Sequence, residues 1–325
     1  MVKLIGPAAG RPAGPAGAGT TPCRPAAREE IGPALALVLG SAGLPADAAR
    51  VSDFADYARR RGIDLSEVWV AVSCGALAWA VLPILSPGRT MLVLGPAAAP
   101  RHPDAFQAAG ALLDTVCTHF GGRGVQLAQA LLDPEDAAVH GLYRARGFEP
   151  VAQLLYLQVA PRRKAPPPAL PAGMRWVGYG PDTHALFAHT IARTYEQSLD
   201  CPRLNGLRAM EDVLAGHRAS GEFDPALWTL LCDGDEPLGA LLLARSAPAD
   251  AVELVYLGLT PPARGRRLGD LLMRQALAST AAAGGRLSLA VDSANVPALK
   301  LYYRHGMEQV GAKLATMRQL VSQVR

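Results

Sequence analysis

The chain has 325 residues, of which 50% are hydrophobic and 18% are charged, and its formal net charge is +4 at pH 7. This composition is typical of a folded protein and excludes a disordered one. The charge is small and forms no clustered basic face, so we expect neither a nucleic acid nor a membrane as a partner. At roughly 100–200 residues per domain, the length predicts two domains.

Two further absences in the sequence bear on location and metal binding. There is neither an apolar run of about 18 residues nor a signal-peptide pattern, so we expect a cytoplasmic protein. None of the five cysteines belongs to a C-x-x-C pair, and they lie far apart in the chain. We therefore expect no disulfide framework and no metal site, and we predict that Cys74, Cys117 and Cys232 are buried thiols.

Elements of the first half follow from hydrophobic spacing. Residues 1–27, rich in Ala, Gly and Pro, are predicted to be a loose tail. Helices are then expected at 27–40, 46–61 and 104–120, and strands at 67–74, 76–85 and 90–94, with further strands after the last helix. Residues 161–173 contain five prolines, which predicts a stiff linker and a domain boundary.

The second half repeats this order. Helices are expected at 181–196, 207–220 and 296–305, and another begins near Leu268. Strands are expected at 227–233, 237–245, 252–259 and 286–292, and a last one ends near Met317. Alternation of strands and helices after an antiparallel start predicts a mixed α/β fold in each half, with domains at 28–160 and 174–325.

An internal repeat supports the two-domain interpretation. A shift of 159 positions brings Leu142-Tyr143 onto Leu301-Tyr302, Gly147 onto Gly306 and Asp133 onto Asp292. One register is kept from the start of one helix to the end of the next. The repeat therefore predicts a tandem duplication.

The segment 254–272 is the richest in chemistry. An apolar, β-favouring run leads to Pro261-Pro262, then to a turn with Gly and Arg, then to apolar positions at helical spacing. Free N–H groups at a helix amino terminus, with arginines beside them, suit a pyrophosphate. An ordinary basic surface turn is the alternative interpretation of the same residues.

This segment resembles the acyl-CoA motif of the GNAT superfamily of acetyltransferases. Arg264, Gly265 and Gly269 match the motif, while Arg267 stands where the family usually has Gly. A second element, N-x-x-A-x-x-x-Y-x-x-x-G-F, is matched from Asn295 through Tyr302 to Met307, which replaces the Phe. The resemblance covers about residues 175–318. Asn295 is also a plausible N-cap for the helix that follows it.

The resemblance implies that acetyl-CoA, or another acyl-CoA, is the co-substrate, with no metal. It places the coenzyme against the strand end, the loop and the helix start, namely Leu257, Gly258, Leu259, Arg264, Gly265, Arg266, Arg267, Leu268, Gly269 and Asn295. It places Tyr302 near the thioester sulfur, where the tyrosine is expected to protonate the departing thiolate.

Glu253 is the candidate general base. In a regular strand it shares a face with Val255, Leu257 and Leu259, so it stands at the head of an apolar row. It precedes Arg264 by 11 residues, which resembles the position of the catalytic glutamate in GNAT members that use one. Partial desolvation raises a carboxyl pKa toward a useful value. A solvent-facing carboxylate at a strand end is the alternative.

Residues 195–205 are polar and prone to turns, and in GNAT-like folds this region covers the acceptor. Glu196, Asp200 and Asn205 are candidates for binding a cationic amine, against the alternative of a solvated loop. Cys201 as an acyl-carrying nucleophile is a weaker alternative, since no histidine partner is evident.

The first half lacks the matching residues. By the 159-residue shift, Asp136 replaces Asn295, Leu94 replaces Glu253, and residues 105–110 contain no arginine. Tyr143 remains, as a core residue. We interpret this half as a degenerate GNAT-like domain that shapes the acceptor cleft.

The predicted function is transfer of an acetyl group from coenzyme A to an amine, which is a small molecule or a protein. The tandem arrangement resembles mycothiol synthase-like acetyltransferases in architecture. A non-catalytic coenzyme-binding or protein-interaction module is the competing interpretation. A dinucleotide-binding fold is excluded because no G-x-G-x-x-G opens a βαβ unit. The sequence leaves monomer and homodimer open.

Overall fold

The computed structural model describes residues 22–40, 44–73, 75–96, 98–100, 102–161, 166–246 and 251–320. We refer to residues 22–161 as the first half and to residues 166–320 as the second half. The first half contains β1 (Cys23–Pro25), α1 (Ile31–Val38), α2 (Ala48–Arg61), β2 (Trp69–Ser73), β3 (Ala76–Ser86), β4 (Thr90–Leu94), α3 (Pro103–Gly122), β5 (Leu127–Leu132), α4 (Ala137–Arg144) and β6 (Glu149–Val159).

The second half contains β7 (Met174–Gly178), α5 (His184–Tyr195), α6 (Met210–Ala219), β8 (Trp228–Asp233), β9 (Glu236–Ser246), β10 (Ala251–Leu259), α7 (Leu268–Ala283), β11 (Arg286–Asp292), α8 (Val296–Arg304) and β12 (Glu308–Gln319). The mixed α/β fold is therefore confirmed. Helices expected at 104–120 and 296–305, and strands expected at 90–94 and 286–292, are present within two residues of the predicted bounds.

Two short strands were missed. β1 lies inside the predicted tail and pairs with β2, from Cys23 against Ala71 to Pro25 against Trp69. Three residues are too few to show an alternating pattern, so only the partner strand reveals it. β7 follows the proline-rich segment directly and pairs with β8. Residues 162–165 of the predicted linker lie outside the described residues, as does Cys74.

The strands of both halves join one twelve-stranded sheet, in the order β1-β2-β3-β4-β5-β12-β6-β11-β10-β9-β8-β7. The last strand of each half is exchanged. β12 pairs with β5 of the first half, β6 pairs with β11 of the second half, and β6 and β12 pair with each other at the centre. Each half therefore completes the sheet of the other.

The exchange is reciprocal in register. Leu287 lies opposite Val159, and the positions 159 residues earlier and later, Ala128 and Arg318, also lie opposite each other. At the centre of the sheet Leu154 faces Lys313, which is its own counterpart under that shift. The repeat found in the sequence thus corresponds to an internal pseudo-symmetry of the strand pairing.

Helices cover both faces of the sheet in each half, because most strands are apolar on both sides. In the second half, α7 and α8 pack over the cluster that contains Leu272, while α5 and α6 pack over the cluster around Trp228. Cys117 and Cys232 are buried, as predicted. No described helix has the length and apolar character needed to cross a membrane.

Candidate functional site

A cavity of about 570 Å³ opens where β10 and β11 separate. These two strands run parallel and pair only from Ala251 against Arg286 to Glu253 against Ser288. Beyond Glu253, β10 continues to Leu259 and β11 continues to Asp292, but the two strands no longer pair with each other. The cavity occupies the gap between them. N–H and C=O groups of β10 that point away from β9 therefore face the cavity rather than a neighbouring strand.

A β-bulge at Val255 separates the two parts of β10. The register against β9 shifts between Leu254 and Tyr256, so one extra residue interrupts the alternation of faces. Leu254 packs with the α7 cluster, whereas Tyr256 packs with the α5 and α6 cluster. The expectation that Glu253 shares a face with Leu257 and Leu259 is therefore wrong, whereas Val255 packs with the α5 and α6 cluster, on the face that Glu253 also takes. Leu257 and Leu259 lie on the α7 side, and Glu253 lies on the opposite face from Leu254.

The loop before α7 provides free backbone donors. The N–H groups of Gly265, Arg266 and Gly269 have no backbone acceptor within the described residues. Gly265 has φ +74° and Arg267 has φ +58°, so the chain turns through the left-handed region, which costs Arg267 about 1 kcal/mol. Since α7 is 16 residues long, its dipole adds positive potential at this end. The donors and the potential suit a phosphate group.

Gly269 and the side chains around this loop limit its shape. A Cβ on Gly269 would stand 3.2 Å from Leu301 Cδ2, closer than most real contacts. Arg267 and Leu268 line the cavity. Arg266 does not line it, and its guanidinium lies 4.0 Å from the Asp233 carboxylate.

The side chain of Arg264 makes hydrogen bonds that the sequence did not indicate. Its guanidinium donates to four carbonyl oxygens, those of Thr194 (2.9 Å), Glu196 (2.7 Å), Gln197 (3.2 Å) and Leu259 (3.1 Å). Three of these carbonyls belong to the last turn of α5 and the residues just after it, which lack helical partners. Arg264 therefore holds the end of α5 against the end of β10, and its own backbone N–H donates to the Pro261 carbonyl at 3.2 Å.

Asn295 and Tyr302 lie on the other side of the cavity. The Asn295 side chain accepts from the N–H of Ala298 at 3.3 Å, which confirms it as the N-cap of α8 and leaves its amide N–H groups for a ligand. Tyr302 is 6% exposed, and burial raises the pKa of its hydroxyl, as does the negative charge of Asp200. The hydroxyl thus stays protonated at neutral pH and can act as a proton donor.

Asp200 closes the cavity from the loop after α5. It is exposed at the rim, yet desolvation by the protein around its carboxyl raises its pKa. Its neighbour Cys201 has φ +43° and donates its N–H to the buried carboxylate of Asp292 at 3.3 Å. Desolvation, followed by the charges of Asp200 and Asp292, raises the pKa of the Cys201 thiol to about 12. A thiol of that pKa is a poor nucleophile, which disfavours the acyl-carrying alternative.

Glu196 and Asn205, the other acceptor candidates, do not line the cavity. Both are exposed. Glu196 ends α5 and offers its carbonyl to Arg264, while Asn205 donates its amide to the carbonyl of Tyr195 at 3.2 Å. Their contacts shape the loop.

Glu253 does not line the cavity, and its carboxyl lies near Arg61 and Tyr156 of the first half. Burial raises the pKa of its carboxyl above the ordinary value, and the guanidinium of Arg61 in α2 lowers it in part. The charge of Glu253 in turn helps to raise the pKa of Tyr156 on β6. Tyr156 lies near Glu253 because β6 is the exchanged strand, and Arg61 approaches from α2. Both residues belong to the first half, so the first half contributes to the surroundings of the predicted base.

Polar side chains around Tyr256 form a cluster that the sequence did not reveal. The Tyr256 hydroxyl shares a hydrogen bond with Thr194 (2.7 Å), and its ring contacts those of Tyr195 and His217. The Tyr195 hydroxyl and His217 Nε2 are 3.3 Å apart. Burial, followed by the positive charge of Arg208, lowers the pKa of His217 to about 4. These residues come together only through tertiary packing, so no local sequence pattern predicts the cluster.

The corresponding part of the first half is closed. Residues 105–110, the counterparts of 264–269, lie within α3, so most of their N–H groups bond along the helix. The Arg146 guanidinium lies over Gly110 and pairs with Asp114 at 3.2 Å. By strand pairing, the residue opposite Gln129 is Leu92, which makes Leu92, not Leu94, the counterpart of Glu253. Tyr143 is 1% exposed and belongs to the core, as expected.

Comparison with known proteins agrees with this geometry. Residues 191–307 match the family model of the acetyltransferase (GNAT) family. This match lies within the second half. The matched residues contain the bulge, the α7 loop, Asn295 and Tyr302. A comparison with curated protein sequences finds no match.

Two solved structures share the fold of most of the chain. A GCN5-related N-acetyltransferase from Sphaerobacter thermophilus is 18% identical, with a TM-score of 0.58, over 92% of this chain and 95% of its own. A tandem GNAT protein from the clavulanic acid biosynthesis pathway is 15% identical, with a TM-score of 0.51, over 90% of this chain and 95% of its own. At these identities the likeness is one of fold alone, and the coverage shows that it includes both halves.

Proposed function

We propose that this protein is an N-acetyltransferase that uses acetyl-CoA and transfers the acyl group directly to an amine within a ternary complex. One observation carries the proposal. A single cavity joins the free N–H groups at the amino terminus of α7 to a buried, protonated tyrosine, between two strands that separate beyond a carboxylate. The GNAT family match supports acyl transfer as the class of reaction.

The residues present fit the coenzyme. Donors of Gly265, Arg266 and Gly269 suit its pyrophosphate, and the free edges of β10 and Asn295 suit its amide-containing arm. When bound, the coenzyme supplies an activated acyl group and a thiolate leaving group. Within the described residues there is no group of three or more His, Cys, Asp or Glu side chains that could hold a metal ion.

Glu253 is proposed to take the proton of the attacking amine, directly or through a water molecule. Its pKa is raised toward the working pH. A general base is most effective when its pKa lies near that pH. Backbone N–H groups of β10 that face the cavity stabilise the negative charge that develops on the carbonyl oxygen. Donors of this kind contribute about 3–4 kcal/mol in hydrolases.

Tyr302 is proposed to protonate the departing sulfur. Burial raises the pKa of its hydroxyl, and the charge of Asp200 adds to that rise, so the hydroxyl carries its proton when the thiolate departs. The proton therefore moves from the amine to Glu253 at the start of the reaction, and from Tyr302 to the sulfur at the end. Exchange with solvent through the open cavity restores both groups.

The test is a screen of small amines and of lysine-containing peptides with acetyl-CoA labelled in the acetyl group, followed by mass spectrometry. We expect a labelled mass gain in at least one amine, with release of one thiol for each acetyl group transferred. A protein that binds acetyl-CoA but neither releases thiol nor modifies any amine is the competing non-catalytic module, and that result would overturn the proposal.

A further inference from the structure

Charged side chains that line the cavity are divided between two places. Three of them are arginines: Arg264 and Arg267 in the loop before α7, and Arg304 at the end of α8. Arg304 pairs with Asp270, in the first turn of α7, at 2.9 Å. The positive charge of the cavity wall therefore lies around the amino terminus of α7, where the N–H groups suited to a phosphate also lie.

Asp200 is a carboxylate of the same cavity that lies apart from these arginines. Within the described residues it makes no ion pair. Desolvation raises the pKa of its carboxyl, a hydrogen bond from the Asp292 backbone lowers it in part, and the charge of Asp292 raises it again, with no contribution from an arginine. A partly desolvated carboxylate without a counter-ion attracts a cation more strongly than one in water does.

The hydroxyl of Tyr302 is a second polar group of the cavity without a partner. The side chain is 6% exposed, and its hydroxyl makes no hydrogen bond within the described part of the chain. Burial, followed by the charge of Asp200, raises the pKa of this hydroxyl, so the carboxylate lies close enough to act on it. Because buried polar groups are normally hydrogen-bonded, an unpaired hydroxyl that lines a cavity beside a free carboxylate indicates a polar ligand there.

Tyr256 lines the cavity from the facing strand, β10. Burial is the main cause of the raised pKa of its hydroxyl, and the charge of Asp200 contributes. A Cβ on Gly258 would stand 2.5 Å from this hydroxyl, so the side chain extends along β10 over Gly258. Thr194 already bonds the hydroxyl at 2.7 Å, so we expect the ring rather than the hydroxyl to contact a ligand. We call the part of the cavity between Asp200, Tyr256 and Tyr302 the carboxylate subsite.

Apolar side chains adjoin the carboxylate subsite. Leu199, next to Asp200 in the chain, lines the cavity and is 53% exposed, and Val255, next to Tyr256, also lines it. A ligand that gains from both the charge and these surfaces carries its cation on an apolar body. A second, anionic group on such a ligand would be repelled by Asp200.

Arginines elsewhere in the cavity do not compensate for that repulsion. The Arg264 guanidinium is occupied by four carbonyl oxygens, and Arg304 is paired with Asp270. Arg267 belongs to the loop that is proposed to hold the coenzyme. The carboxylate subsite therefore favours a cation and disfavours a zwitterion of the same size.

We propose that the acceptor is a primary amine on an apolar chain or ring, that it enters the cavity as its ammonium cation, and that Asp200 binds this cation beside the Tyr302 hydroxyl. This inference rests on the proposed acetyl transfer for its kinetic readout. Asp200 acts here as a specificity-determining residue. Amines that carry a carboxylate next to the nitrogen, such as amino acids, are poor acceptors.

The kinetic test compares each amine with the amino acid that differs from it by one carboxylate: phenethylamine with phenylalanine, and butylamine with 2-aminopentanoate. We expect kcat/KM at least tenfold higher for the amine in one of the two pairs. Asp200→Asn, which keeps the shape of the side chain and removes its charge, should raise KM for that amine at least tenfold. Asp200→Glu should restore part of the loss. Glu196→Gln removes the same charge from the same loop outside the cavity, and it should change KM less than twofold.

A direct binding measurement separates this inference from the proposed function. Saturation-transfer NMR of phenethylamine and butylamine, with coenzyme A absent and then present, should show binding of at least one amine to wild type and to Glu196→Gln. That binding should be lost in Asp200→Asn, and the matching alcohols, 2-phenylethanol and 1-butanol, should bind more weakly. Binding that depends on Asp200 without any acetyl transfer would keep the carboxylate subsite and overturn the transferase. No binding of either amine, binding indifferent to Asp200, or a preference for the amino acid in both pairs would overturn the inference.

Discussion

Burial raises the pKa of the Glu253 carboxyl and the Arg61 guanidinium lowers it in part, and we propose this carboxylate as the proton acceptor. We predict that Glu253→Gln lowers kcat by about 10²–10⁴-fold at low pH, the usual contribution of one proton transfer. Raising the pH should partly restore the rate, because more of the amine is then already deprotonated. Pre-steady-state rates across pH are the measurement. Wild-type rates at every pH would make Glu253 a bystander and Asp200 the better candidate.

Tyr302 is predicted to act at the other end of the transfer. Tyr302→Phe should lower kcat by a similar factor without rescue at high pH, because departure of the thiolate does not depend on the state of the amine. Affinity for acetyl-CoA should change little. Tyr303→Phe is the matched control, since Tyr303 is 46% exposed on the same helix. Equal effects of the two substitutions would contradict the assignment.

His217 links stability to pH. Its pKa falls from 6.5 to about 4 on folding, because burial and Arg208 disfavour the imidazolium. Between these values the unfolded chain binds a proton that the folded chain does not, so the free energy of unfolding decreases as pH falls from 6.5 to 4, by up to about 1.4 kcal/mol per pH unit. His217→Gln should reduce this slope in urea unfolding, while His189→Gln, at an exposed position of α5, should not.

Residue types and spacing identified Asn295 as a cap and Tyr143 as a core residue, because both roles depend on neighbours within one or two helical turns. Spacing did not identify the function of the Arg264 side chain. Its carbonyl partners on α5 lie about 70 residues away in the chain, and only tertiary packing brings them together. The bulge at Val255 was missed for the same reason, since it exists only relative to β9.

At the scale of elements, the two N-caps offer a matched comparison. Asn295 caps α8, and Asp136, 159 residues earlier, caps α4 by accepting from Val139 at 3.0 Å. Replacing either by Ala should cost about 1 kcal/mol of stability. Only Asn295→Ala should also weaken acetyl-CoA binding, because only Asn295 lines the cavity. Thermal unfolding and calorimetric titration of both variants are the measurements. Equal loss of coenzyme affinity in both would contradict a local role for Asn295.

Most elements were predictable because apolar periodicity is a local signal. The turn before α7 was predictable through its glycines and the helix start. What the sequence did not show is why the first half lacks such a loop. α3 begins at Pro103 and is 20 residues long, four more than α7, so the counterparts of the loop are already helical. Helix ends depend on capping and packing, and the pattern alone places them poorly.

At the scale of the whole molecule, the exchange of β6 and β12 means that neither half holds a complete sheet. Residues 166–325 alone lack β6 and would expose the edge of β11, which is prone to unspecific pairing. We predict that this fragment aggregates or remains unfolded, while co-expression with residues 1–161 gives a soluble complex that binds acetyl-CoA. A stable, coenzyme-binding monomer of residues 166–325 would show that the exchange is dispensable.

Order along the sheet was beyond prediction for the same reason. The repeat predicted two similar domains with bounds at 28–160 and 174–325, and nothing in a linear pattern distinguishes a strand that pairs within its own half from one that pairs across. The choice depends on long-range hydrogen bonds between β6, β11, β12 and β5.

The central claim is that one acyl-CoA binds per chain, in the cavity of the second half. Calorimetric titration with acetyl-CoA should give a single site. Gly269→Glu should abolish binding for two reasons. The new side chain would collide with Leu301, and it would place a negative charge beside the N–H groups of α7 that are proposed to bind a phosphate. Gly32→Glu, at an exposed position with open space around it, should bind as wild type does, and thermal unfolding verifies that both variants fold. Two equal sites, or unchanged affinity in a folded Gly269→Glu protein, would contradict the account.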